Sequence, residues 1–376
     1  MSARSTSEVV IVGGGIAGLS VALAARRRGL SVTVLERAVP GAEASTAAAG
    51  ILGAQVEAHA TGPALELGLL SRGLYPEWCG ALEAETGVAI GLHRCGVAQV
   101  ALDPTQWAEL EHKADAQERL GLGVERRTGA ALFERLPGLT REAVGALLFP
   151  EDGQVEPDRL LRALAIAAER LGVRFLTGQP VGRILVSRGR VSGVEVGSEV
   201  RLCERVVLCA GAWTSLLPDA GLAASAIRPT RGQLIGVTLR APPFRPVVFG
   251  PGAYCVPRSD GRVVIGSTME DAGFSKDVTL GGLRDVSSRA TRLFPKLADA
   301  PVTSTWAGLR PETVDGLPAL GPGLHEGLFI ASGHFRNGIL LAPATGLLMA
   351  SILTGEAPAL ELGPFDPRRL VAFRVA

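Results

Sequence analysis

Val9-Val10-Ile11-Val12-Gly13-Gly14-Gly15-Ile16-Ala17-Gly18 is an apolar, β-branched run that breaks into glycines and resumes in a helical pattern. The run predicts a strand over residues 8–12, buried on both faces. The helical pattern lasts to Arg28 and stops at Gly29. Residues 31–35 then predict a second strand, with Glu36 at its end. Each part of this order has a task. Gly13 makes the tight turn, Gly15 lets the backbone approach a pyrophosphate, and Gly18 lets the helix pack on the strand. Helix-start amides around Ile16 and Ala17 offer partial positive charge to phosphates. Glu36 follows Gly18 by 18 residues and can accept hydrogen bonds from ribose hydroxyls, which favours an adenosine without a 2′-phosphate. The alternative is a glycine-rich turn with no ligand. Strand, turn, helix and acid in this order favour a bound dinucleotide.

Composition narrows the setting. A chain of 376 residues is long enough for roughly two domains. Its 38 basic and 37 acidic residues nearly cancel, so the net field that would gather nucleic acid or anionic lipid is missing. Five scattered cysteines form no CxxC pair, which predicts reduced thiols and a cytoplasmic protein. Five dispersed histidines make no HxxxH or HExxH, so no metal site is expected. The opening apolar run is too short for a signal peptide. The longest apolar stretch, residues 339–353, is below the ~18 residues of a membrane span and is interrupted by Pro343.

Further along, helical patterns cover residues 63–85, 104–120 and 158–171, the last opened by Pro157. Residues 206–211 read as a buried strand ending in glycine. Between 227 and 306 short runs alternate with turn signals, and Asp260-Gly261 marks a hairpin, so an antiparallel sheet is expected there. A last strand at 328–331 leads through Ser332-Gly333-His334-Phe335-Arg336-Asn337-Gly338 into an apolar helix over 339–353. Its first amides, near Gly338, offer partial positive charge to a bound group that gathers negative charge. A dehydrogenase that binds NAD would continue with more βα units. Completing one nucleotide domain from three distant segments suits FAD better.

Several motifs together resemble the glycine oxidases of the D-amino-acid oxidase/sarcosine oxidase superfamily. They are residues 13–18, 47–54, 155–157, 209–213, 306–311 and the long run 333–346. The resemblance covers nearly the whole chain. It implies an α/β fold: a glutathione-reductase-like, Rossmann FAD domain with an interleaved antiparallel-sheet substrate domain of α+β type. The expected limits are 1–90, 150–225 and 307–376 for the first, and 91–149 and 226–306 for the second. It further implies oxidation of glycine, sarcosine or small D-amino acids by hydride transfer to flavin. Dioxygen would be the acceptor, and thiazole synthesis for thiamine the use. A homotetramer is implied too.

An amine oxidase must hold an α-carboxylate, and the planar arginine fork does this with two charge-assisted bonds. Arginine as such says little here, because 35 of the 38 basic residues are arginine. By the resemblance, Arg310 is the carboxylate anchor, Tyr254 closes the pocket and Met269 lines it. Arg336 either bonds substrate or holds its loop. No catalytic base is required, and His334 reads as loop structure beside the cofactor. The resemblance also places Arg37, Thr46, Ala47, Ala49, Gly50, Leu52, Val181, Ala210, Gly211, Trp213, Asn337, Gly338, Ile339 and Leu340 against FAD. Residues 308–316 lack cysteine and 46–53 lack histidine, so the flavin is expected to be dissociable. Gly252, near Tyr254, stands where a larger polar side chain would shape the pocket. The rivals are a sarcosine or D-amino-acid oxidase, a quinone-linked amino-acid dehydrogenase, and a nucleotide-binding protein without turnover.

Overall fold

The computed structural model describes residues 9–58, 61–242 and 244–371, so Glu8, the expected start of the first strand, lies outside them. Val9–Val12 is fully buried and sits inside a six-stranded sheet. It pairs in parallel with Val32–Glu36 on one side and Arg205–Leu208 on the other. Arg174–Thr177 extends one edge, and Leu328–Ser332 with antiparallel Ala319–Pro322 extends the other. The alternation along the strand explains its uniform apolarity. Val9 and Ile11 face helices Ile16–Arg27, Pro63–Thr86, Pro157–Arg170 and Ala342–Thr354. Val10 and Val12 face an antiparallel meander built from Val181–Ser187, Arg190–Val196 and Glu199–Leu202.

A second sheet of eight strands lies beside this layer. Its long members, Ile227–Thr238 and Val302–Thr313, pair antiparallel from Ile227 opposite Thr313 to Val237 opposite Val302, with one register shift at Gly236/Val237. Ala253–Pro257 and Arg262–Gly266 form the hairpin expected around Asp260-Gly261. Val97–Ala101, Gly145–Phe149 and Glu125–Arg127 complete the sheet from the earlier segment. The pairing of Val247–Gly250 with Val97–Ala101 is parallel, the one exception among its pairings between described residues.

Three expectations need correction. A helix, Leu280–Leu293, interrupts the stretch read as continuous sheet; Thr279 caps it by accepting from the Gly282 amide at 3.1 Å. The expected edge between residues 306 and 307 falls inside strand Val302–Thr313. The C-terminal helix begins at Ala342, not near Gly338, and Pro343 sits in its first turn, where its missing N–H costs nothing. No helix among the described residues is long and apolar enough to cross a membrane.

Candidate active site

A cavity of about 460 Å³ runs between the two sheets, walled by segments from Val12 to Ile339. Its floor is the glycine turn. Gly13 has φ +107°, and a side chain there would collide with the Cys209 carbonyl. A Cβ on Gly18 would fall well inside contact with the Gly13 carbonyl oxygen, so the helix packs on the turn only through a bare Cα. The Ile16 amide donates to the Ser45 hydroxyl at 2.9 Å, and Ser45 lines the wall above the helix start. Glu36, at the cavity wall, accepts from the Gly14 amide at 2.8 Å and the Ala38 amide at 2.8 Å, one on each oxygen, so each oxygen retains acceptor capacity. At that end Arg37 stacks 3.7 Å above the Trp213 ring. Bare backbone, helix-start amides and a fixed carboxylate are the donor and acceptor set that a dinucleotide fits.

Of the residues singled out in the sequence, the cavity brings together Gly13, Ile16, Ala17, Glu36, Arg37, Ala47, Ala49, Gly50, Val181, Ala210, Gly211, Trp213, His334, Arg336, Asn337, Gly338, Ile339, Tyr254 and Arg310. Others stand behind the wall. Gly15 and Gly18 support the turn, and the Thr46 hydroxyl donates to the Gly41 carbonyl at 2.9 Å. Leu52 and Leu340 are buried in the core. Met269 is 55% exposed and outside the lining, on a loop that turns its side chain outward. Gly252 also lies outside the lining, in a turn capped by Arg289. Residues 338–341 reach the cavity region as turns rather than as a helix. The Tyr75 hydroxyl donates to the Ile339 carbonyl and the Ser71 hydroxyl to the Leu340 carbonyl at 2.6 Å, which pins them.

The other end of the cavity is cationic. Arg310 lies on Val302–Thr313 opposite Thr230, and its guanidinium donates to the Ser267 hydroxyl at 2.5 Å and the Thr268 carbonyl at 3.2 Å. It lies flat across Gly232, where any Cβ would occupy the space of the guanidinium. Tyr254 packs in the same manner over its strand partner Gly266. Burial draws Arg310 below the ordinary arginine value; Tyr254 and Glu57 push back, while Arg336 adds to the depression. Arginine does not surrender its proton in proteins, so this is a desolvated cation short of an anion. Arg336 differs: its guanidinium meets the Glu57 carboxylate at 2.8 Å. Glu57, Ser45 and Gly232 escaped the sequence reading, since each acts through a partner remote in the chain.

His334 is buried, and its Nε2 lies 2.9 Å from the Thr345 hydroxyl. Burial lowers it to about 4, so it is neutral at working pH. The unfolded chain takes up this proton below the ordinary value near 6.5, whereas the folded chain does not until near 4. Stability from this group is therefore complete above pH 6.5 and lost as pH falls toward 4, by about 3 kcal/mol. The urea midpoint of the wild type should fall over this window, and His334→Gln should flatten that part of the curve. An unchanged slope in the variant would show that His334 is not the group responsible.

Fold and cavity together define an FAD-dependent oxidoreductase. Residues 8–352 match the family described as FAD dependent oxidoreductase (DAO), and the chain belongs to it. It is 38% identical over 358 residues to the "Bifunctional protein ThiO/ThiG" of Trichormus variabilis, covering 93% of this chain and 53% of that one. The chain thus spans about half the length of that relative. It is 36% identical over 367 residues to the glycine oxidase of Geobacillus kaustophilus, covering 96% and 97% of the two chains. The crystal structure of glycine oxidase from Geobacillus kaustophilus, 34% identical, superposes with a TM-score of 0.94 over 98% of this chain and 100% of the other.

Proposed function

We propose that this protein oxidises the amine of glycine and of other small amino acids, such as sarcosine and small D-amino acids. The single observation that carries this is the half-buried Arg310 guanidinium, without a carboxylate partner among the described residues, facing a cavity whose other end fits a dinucleotide. FAD, when bound, supplies the oxidising equivalent by accepting a hydride, and dioxygen then takes the electrons away as hydrogen peroxide. Arg310 takes the substrate carboxylate, with the Tyr254 hydroxyl at the same wall. Fixing the carboxylate fixes the Cα–H, so orientation rather than proton abstraction is the protein's main contribution. His334 cannot serve as base, because its ring is turned to Thr345 and packed away. The amine binds as its neutral form, and the resulting imine hydrolyses to glyoxylate and ammonia when glycine is the substrate.

The substrate list rests on the named glycine oxidase relatives. Relatives called ThiO/ThiG support a supply of imine or glyoxylate to thiazole synthesis. A non-covalent FAD, a cytoplasmic location and a homotetramer belong to the same proposal. Five unpaired cysteines support a reducing compartment. The test is anaerobic addition of glycine to the purified, FAD-loaded protein. Bleaching of the visible flavin band, with colour restored by air, supports the reading. A band untouched by glycine, sarcosine and D-alanine alike would overturn it.

A further inference from the structure

Two guanidiniums reach the end of the cavity remote from Arg37, yet only one is free to meet an anion. Arg336 is joined to Glu57, whereas Arg310 has no carboxylate within 4.0 Å among the described residues. Glu57 is not a loose side chain swung in by chance. The turn that presents it is tied from behind, where Asp152 accepts from the Gln55 amide at 3.1 Å and the Val56 amide at 3.0 Å. Arg72 joins Asp152 at 2.6 Å and the Gln55 side chain at 2.7 Å. Lys113 donates to the Val56 carbonyl at 2.6 Å and to Gln99 at 3.0 Å, outside the cavity lining. Asp152 has no exposed side-chain surface, so the turn is held in the core rather than by solvent-facing contacts.

We propose that Glu57 sets the charge class of the substrate: by neutralising Arg336 it leaves one unpaired cation, so amines with one carboxylate are accepted and amines with a second are turned away. This rests on the amine-oxidising reading above. The charges at this end, Arg310, Arg336 and Glu57, sum to +1, which one carboxylate cancels. A second carboxylate must lie beside Glu57, whose side chain is largely shielded from solvent, so the like charges repel. Without the Glu57 charge the same end carries +2, and a dicarboxylic amine finds a fork at each end. Specificity arises here from a repulsive group added to an attractive one.

The experiment compares FAD-loaded wild type, Glu57→Gln and Glu57→Asp. kcat/KM is measured for sarcosine and iminodiacetate, and dissociation constants for acetate and malonate are read from the flavin spectrum. Glu57→Gln should lower the sarcosine-to-iminodiacetate ratio at least 100-fold and tighten malonate relative to acetate at least tenfold. Glu57→Asp should keep the wild-type preference. Unchanged ratios in Glu57→Gln would overturn the proposal while leaving the amine-oxidase reading intact. A wild type that oxidises no amine would overturn both. Should Glu57→Gln fail to load FAD, Arg336→Gln gives the converse arm. With Glu57 unpaired, malonate should weaken at least tenfold against acetate, and no weakening would overturn the proposal.

Discussion

Arg310→Met is expected to lower kcat/KM for glycine by about 10³-fold while the protein stays yellow. The physical ground is the isolation of the guanidinium. It is desolvated, spread over Gly232 and anchored by Ser267 and Thr268, with no acid of its own among the described residues. Losing one partner of a buried charge pair costs roughly 2–5 kcal/mol, and each 1.36 kcal/mol is tenfold in rate. Methionine keeps an unbranched stem at this strand position, so the ladder to Thr230 survives. Peroxide formation and FAD content should be measured on the same preparation. A variant within tenfold of wild type would remove Arg310 from its assigned place.

Gly18→Ala should cost the protein its flavin. The added methyl group points at the Gly13 carbonyl, and Gly13 cannot retreat because the Cys209 carbonyl backs it. Either the helix Ile16–Arg27 lifts from the strand or the turn deforms, and both move the amides that meet phosphates. Overpacking of this kind costs typically 1–3 kcal/mol of stability. FAD affinity should fall by at least ~100-fold, since ~2.7 kcal/mol corresponds to that factor. Gly73→Ala is the control. It adds the same methyl in helix Pro63–Thr86 at a place with open space, and should leave binding unchanged. Full retention of FAD by Gly18→Ala would show that the turn tolerates what its geometry forbids.

The difference between these glycines marks what was legible in the sequence. Gly13, Gly18 and Glu36 could be read because they belong to one local unit whose spacing is set by contacts within it. Arg310 and Tyr254 were reached through motif resemblance, and the cavity does join them. Glu57 could not be read: its importance lies in a pairing with Arg336 across 279 positions. Gly232 is silent alone and meaningful only beneath Arg310. Helix Leu280–Leu293 was missed because Gly281 and Gly282 open it amid turn-like residues, although its buried positions Val286, Ala290 and Leu293 do follow helical spacing. Met269 went astray because a loop, unlike a strand, does not fix which way a side chain faces.

The cavity wall is gathered from stations that begin at Val12 and end at Ile339. A chain that lacks any of these stations would offer the flavin an incomplete wall, so the cofactor joins segments that are far apart in sequence. Its binding energy is shared by every segment it touches; at a free concentration a hundred times its dissociation constant, that is about 2.7 kcal/mol. Cellular vitamin supply then becomes a control on abundance. In flavin-starved cells the same gene should yield fewer surviving molecules, with no change in the sequence or its transcription.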